Sequence, residues 1–295
     1  MEKLRRFETV VLGGGPTGIA AGAILGLPVI TESIQIPFGP VYFHYTPETK
    51  RFVDEILPDN QIEVKTIRIG IVHRGKLYDS SEAPEEAFID YSKKTGKPRT
   101  YKPQLFEYLD VNWFELLTTA ATKAKTTYFS KIIAINLEKR QLVNSSGGFY
   151  EYDHLISTIP FYIFERIIHD PYILMVEDQL KSMKVRISDV DHWERTDFNN
   201  FDYVYFADVD DSRIRWSHQK SRHQLVGRQF VERFTFPGED FNMMRILDGK
   251  VKPPKHVTFA GRFARWEEER YIHDDIKDFY SQRYVEDVAD NGVTG

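Results

Sequence analysis

The chain has 295 residues, 41% of them hydrophobic and 28% charged, with a formal net charge of -5 and no cysteine. That length suits one compact body or two interleaved lobes, and the acidic balance excludes a protein that coats nucleic acid through general positive charge. Without cysteine there is no disulfide, thiolate metal site, cysteine nucleophile or cysteine-linked cofactor. The start, MEKLRRFETVVLGGG, breaks into glycine too early for a signal peptide, and no run approaches the ~20 apolar residues of a membrane span. A soluble, cytoplasmic protein without membrane contact is expected.

The first element is a buried strand ending at Val10, Val11 and Leu12. Glycines follow at 13, 14, 15, 18 and 22, the last two inside a predicted helix that runs through PTGIAAGAIL and stops at Gly26-Leu27-Pro28. A second strand, LPVITES, ends at Glu32. Gly13, Gly15 and Gly18 thus form G-x-G-x-x-G across a strand-to-helix turn. In such a unit the first glycine makes the turn, the second admits a pyrophosphate, and the third lets helix and strand pack closely. Pro16, Thr17 and Ser33 flank that cradle. Glu32, 19 residues after Gly13, is placed to accept hydrogen bonds from ribose hydroxyls and disfavours a 2′-phosphate. The cofactor is then FAD or NAD; the plain alternative is a glycine-rich turn of structural use only.

Further along, KKTGKPRTYK (93–102) carries Lys93, Lys94, Lys97, Arg99 and Lys102 with no acid. A helix is expected over 111–124, then strands, then a hairpin turning at Gly147-Gly148 between strands 140–144 and 149–157. No second G-x-G-x-x-G exists, so a resident nicotinamide domain is not expected. EYDHLISTIPF (151–161) reads as a strand that stops at Pro160. FDYVYFADVDDSRIRWSHQKS reads as two strands about a turn holding Asp208, Asp210 and Asp211, better explained by the turn than by a metal. Residues 212–231 carry Arg213, Arg215, Lys220, Arg222 and Arg228, beside Trp216, His218 and His223, and no acid. Either basic cluster suits an anionic substrate, and either also suits solvated surface. HVTFAGRFARWEEERYIHDDIKDFY (256–280) reads as a strand, a Gly261-Arg262 turn and a helix from about 271. The nine histidines lack metal-ligand spacing, and Ser33 and Ser157 lack a nucleophile elbow, so no metal is expected.

Together these segments resemble the FAD-dependent amine oxidase and protoporphyrinogen oxidase-like superfamily, nearest to proteins like UDP-galactopyranose mutase, in shortened form. The resemblance lies in the opening glycines, IQIPFGPVYFHY, the strand and turn at 151–161, the stretch at 201–221 and the segment 256–280. It implies an α/β fold, a Rossmann-like FAD-binding domain built discontinuously from 1–70, 118–165 and 225–285. A small α+β substrate lobe would come from 71–117 and 166–224, with a tail at 286–295. It places Gly39, Thr158, Gly261, Arg262, His273, Asp274 and Ile276 with FAD, and His44 facing the flavin ring. Relatives carry Met-Asp at the start of the last helix, where this chain has Ile272-His273 followed by Asp274-Asp275. The implied activity is an FAD-dependent oxidoreductase taking hydride from a C–N or C–C bond of a small or nucleotide-like anionic substrate, a nucleic-acid base included. His44, Arg213, Arg215 and His273 are the catalytic candidates. The alternatives are a mutase or lyase without net redox change, base modification by a phage-encoded enzyme among its forms, and a member that binds FAD only structurally or not at all.

Overall fold

Charged residues at one end and apolar residues at the other dictate how β1 (Lys3–Leu12) lies: it starts exposed and is fully buried by Val10 and Val11. The computed structural model describes residues 3–37, 42–60, 62–96, 105–168, 180–190, 196–218, 229–235, 243–248, 251–267 and 270–290. Proline at its first turn starts α1 (Pro16–Leu25), left-handed Gly26 ends it, and β2 (Pro28–Thr31) returns parallel to β1. The expected β–α–β unit is present. There follow β3 (Phe43–His44) and α2 (Pro47–Ile56), whose first turn is closed by reciprocal bonds between Thr46 and Thr49. Next come β4 (Val64–Thr66), β5 (Ile69–His73), β6 (Lys76–Asp79), α3 (Glu85–Thr95) and β7 (Glu107–Leu109). Asn112 caps α4 (Trp113–Lys123) by accepting from the Phe114 and Glu115 N–H groups.

The chain then lays down β8 (Thr126–Phe129), β9 (Ile132–Asn136), β10 (Gln141–Asn144) and β11 (Phe149–Ser157), with the expected hairpin joining the last two. After α5 (Phe161–Ile167) come β12 (Lys181–Val190), a 3-10 turn at Thr196–Asn200, β13 (Tyr203–Phe206), β14 (Arg213–His218), β15 (Gln229–Phe234) and β16 (Met243–Asp248). The last elements are β17 (Val257–Phe259), α6 (Arg262–Arg265) and α7 (Ile272–Asp290).

Three sheets result. The first runs β8-β2-β1-β11-β10-β9 with β17 also on β11; β8, β2, β1, β11 and β17 are parallel, and the β9–β10 hairpin is antiparallel. Ile19, Phe52, Leu116, Ile276 and Phe279 fill one face against α1, α2, α4 and α7, while Leu12, Leu155, Phe164 and Phe259 fill the other. The second runs β16-β12-β15-β14-β13-β5-β6, and the third is the short β3-β7-β4. β15 and β16, expected with the first body, instead flank β12 in the second sheet, because Val185 of β12 is partnered by both Phe234 and Met243. α4, whose first residues were expected in the smaller lobe, packs on α1.

Candidate functional site

The glycine turn lies at the carboxyl end of the parallel strands, and its glycines answer to different demands. Gly13 has φ +124°, and a Cβ there would sit 2.4 Å from Thr158 Oγ1. Thr158 is fixed because its N–H and its hydroxyl both donate to the Leu12 carbonyl, at 2.9 and 3.1 Å. A Cβ on Gly14 would lie 2.1 Å from the Ser33 carbonyl, and one on Gly18 would lie 2.1 Å from that of Gly13. Gly15 is different: its backbone is extended and a Cβ would meet nothing within 4 Å. It caps α1 without any side-chain acceptor for the N–H groups of that first turn. Pro16 at the first helical position has no N–H to satisfy. The protein's own packing therefore explains Gly13, Gly14 and Gly18, while Gly15 borders open space at the positive end of a helix.

The segment after β2 is tied to this turn. The Gln35 N–H donates to the Gly14 carbonyl at 2.8 Å, and the Thr31 hydroxyl donates to the Ser33 carbonyl at 2.8 Å. Glu32 projects outward, exposed, with its carboxylate 3.4 Å from the Lys131 ammonium. Gly39 lies outside the described residues.

From the other end of the chain, Gly261 (φ +90°) follows β17 so closely over α1 that a Cβ would come within 3.3 Å of Thr17 Oγ1. The Thr17 hydroxyl donates to Asp275 Oδ2 at 3.4 Å, and Arg270 Nε donates to Asp275 Oδ1 at 2.9 Å. Asp275 is 1% exposed; burial pushes its carboxyl up, while Arg270 and the Gly261 N–H pull it back. The sequence reading chose Asp274, but that carboxylate accepts from the Tyr271 N–H at 2.9 Å and caps α7. Ile276 is buried in the core between α7 and the sheet, and Arg262 lies over the Tyr271 ring at 5.3 Å. Asp275, Arg270, Tyr271 and Phe106 were not singled out from the sequence. The Asp-Asp doublet was the available signal, and helix phase selects its second member.

His44 and His273 do meet. Their rings stack at 4.9 Å, Phe106 covers His44 at 3.9 Å, and Tyr271 lies 5.2 Å from His44 and 5.5 Å from His273. Burial, then the neighbouring His273, lowers His44 to about 4; burial lowers His273 as well, against the pull of Asp274. Edge-on contacts extend from it through Tyr42, 6.3 Å from Phe106 and 5.1 Å from Tyr203, over whose ring Arg215 lies at 4.5 Å.

The two arginines both have carboxylates. Arg215 Nη2 is 3.3 Å from buried Glu232, and Arg213 forks onto Asp211 at 2.8 and 2.5 Å while lying over Phe206. A register shift between them sends one to each face of the second sheet. Lys94 donates to the Phe206 and Arg213 carbonyls, both at 2.7 Å, and burial lowers its amine to about 8. Lys97, Arg99, Lys102, Lys220, His223, Arg222 and Arg228 lie outside the described residues. A separate cavity of about 270 Å³ lies beyond the C-terminal end of α1, beside Leu25 and Leu27. Its histidine is already bonded, His154 to Thr258 at 2.9 Å, so it reads as loose packing away from the glycine turn.

Among solved structures, reduced UDP-galactopyranose mutase is 12% identical, covers 94% of each chain and has a TM-score of 0.57. Putrescine oxidase bound to putrescine is 9% identical over 98% of this chain and 100% of that one, with a TM-score of 0.59. The p-nitrophenol 4-monooxygenase of Pseudomonas putida DLL-E4 is 13% identical over 100% of this chain and 82% of that one, with a TM-score of 0.57. No family model matches the chain, and no curated protein matches it. The molecule has the fold of these enzymes, the fold that the resemblance in its sequence implied, and among the described residues no helix is long and apolar enough to cross a membrane.

Proposed function

We propose that the protein is an FAD-dependent oxidoreductase of the amine oxidase-like type, taking hydride from a C–N or C–C bond of a small molecule. The observation that carries this is Gly15: the one turn glycine that the protein's own packing leaves unexplained stands before open space at the N-terminus of α1. A pyrophosphate fits that place, since the approach needs no Cβ and the helix end offers unsatisfied N–H groups. Thr17 and Gly18 supply those groups, and Glu32 at the tip of β2 accepts from the ribose hydroxyls. Thr158 and Gly261 keep the two chain passes close enough to border the same space, and Asp275 locks the start of α7 onto α1.

Bound FAD supplies a two-electron acceptor. The N-terminus of α7 stabilises negative charge beside it. His44, Phe106, Tyr271 and His273 line one side of that space, and burial disfavours the cationic form of both imidazoles. Arg213 and Arg215, each engaged by a carboxylate, serve the second sheet in this reading, and the similarity of fold to putrescine oxidase supports a small-molecule substrate.

The test is FAD binding, read by absorbance and by titration, for wild type and Gly15→Val. The wild type is expected to bind and the variant to lose the cofactor while still folding cooperatively in its absence, because a Cβ at this position meets nothing within 4 Å. Full flavin occupancy in Gly15→Val would overturn the cradle.

A further inference from the structure

His44 and His273 come from opposite ends of the chain, yet their ring planes lie within 20° of parallel, 4.9 Å apart. Phe106 closes the outer side of His44, and Tyr271 borders both rings. His273 Nδ1 is fully enclosed with no hydrogen-bond partner among the described residues. A buried ring nitrogen without a partner is an unused proton site. The charged groups facing the pair are Asp274 and Asp275 from α7, Arg270 from the segment before it and Glu48 from α2. Arg262 of α6 sits behind the Tyr271 ring. His273 Nε2 is 3.6 Å from Asp274 Oδ1. Two cationic imidazoles at this spacing would repel strongly, so a first proton on the pair opposes a second.

We propose that His44 and His273 form one proton-holding unit, a stacked pair that accepts a single proton when negative charge gathers at the N-terminus of α7. The source of that charge rests on the FAD reading; the pairing rests on the ring geometry. The balance is simple. Breaking a substrate C–H bond would send hydride, two electrons and one proton, to the cofactor, which gains one negative charge. The substrate is left one positive charge, relieved by releasing an N–H, O–H or C–H proton to solvent. One proton from solvent enters the pair and adds one positive charge. The substrate is oxidised by two electrons, and this half-reaction needs no other co-reactant.

Histidine-selective nitrogen-15 NMR on the purified full-length chain, with and without FAD, tests the pairing in wild type, His44→Asn and His273→Asn. Without FAD, His44 in His273→Asn is expected to titrate about half a unit or more above its wild-type midpoint, because the neighbour that is protonated first is gone, while His273 in His44→Asn, which titrates beside a neutral ring, moves less. An unchanged His44 midpoint overturns the pairing; should His273→Asn fail to fold, His273→Gln decides. With FAD bound, the pH slope of the midpoint potential between about pH 6 and 8 reads the charge. Wild type is expected to exceed the double variant by up to one proton per two electrons, about 30 mV per pH unit. Equal slopes overturn the proton-holding role. A chain that binds no FAD overturns the cofactor reading, and the NMR series still decides the pairing.

Discussion

Gly15 and Gly18 stand three positions apart in one turn, and their substitutions should part ways. A Cβ on Gly18 would meet the Gly13 carbonyl at 2.1 Å and Thr158 Oγ1 at 2.7 Å, neither of which can yield without opening the turn. Gly18→Ala should therefore cost about 1–3 kcal/mol in urea denaturation of the cofactor-free protein, whereas Gly15→Val, with no clash at Cβ, should cost only the poorer N-cap, about 1 kcal/mol or less. His44 makes a second prediction at this scale. Its folded value of about 4 lies below the unfolded ~6.5, so the unfolded chain binds the extra proton first as pH falls. Stability is full above about 6.5 and declines as pH falls toward 4, with His44 contributing up to about 3 kcal/mol of the loss. Urea unfolding of wild type and His44→Phe across that range should show a shallower decline in the variant. The glycines were legible in the sequence because strand, turn and helix punctuation surround them. The His44–His273 stack was not, since nothing local in either segment records that the two meet.

At the level of the element, α7 shows how one residue of helix phase decides a role. Asp274 and Asp275 are adjacent in sequence and lie about 100° apart around the helix. Asp274 faces out and caps its own first turn; Asp275 faces in and joins Thr17, Gly261 and Arg270. Asp275→Ala removes the buried acceptor shared by Thr17 and Arg270, leaving Arg270 with Asp278, and should cost about 1–3 kcal/mol. Asp274→Ala removes only a cap and should cost about 1 kcal/mol or less, both by urea denaturation. The sequence showed the helix, its start and its acidic doublet; which acid turns inward depends on where α7 docks on α1, a tertiary fact. The same holds for Arg215, which stands in a stretch free of acids until Glu232, its partner, arrives on the neighbouring strand.

Across the whole molecule, the first sheet is organised about a parallel pair, β1 and β11, matched from Lys3–Phe149 to Leu12–Ser157. β2 covers the open side of β1, while β10 and β17 share that of β11, and β8 and β9 end the order. Hydrogen exchange followed by mass spectrometry should thus find the slowest amides in Val10–Leu12 and Leu155–Ser157 and much faster ones in β8 and β9. Comparable protection throughout the sheet would contradict this ranking. The β–α–β start and the β10–β11 hairpin were readable because their partners are close in sequence. The placing of β15 and β16 beside β12 was not, because antiparallel pairing across long separations leaves no local mark. The β1–β11 pair also sets a schedule. Thr158, which closes the glycine turn, reaches Leu12 across 146 positions. At ~5–20 residues per second of ribosomal synthesis, the apolar end of β1 waits about 7–30 s for its mate. Gly261 and Asp275 emerge later still. The cradle, whose glycines are made well before their partners, is therefore completed only after α7 has emerged, and a chain released before that point leaves the ribosome with its first strand paired and its cradle unfastened.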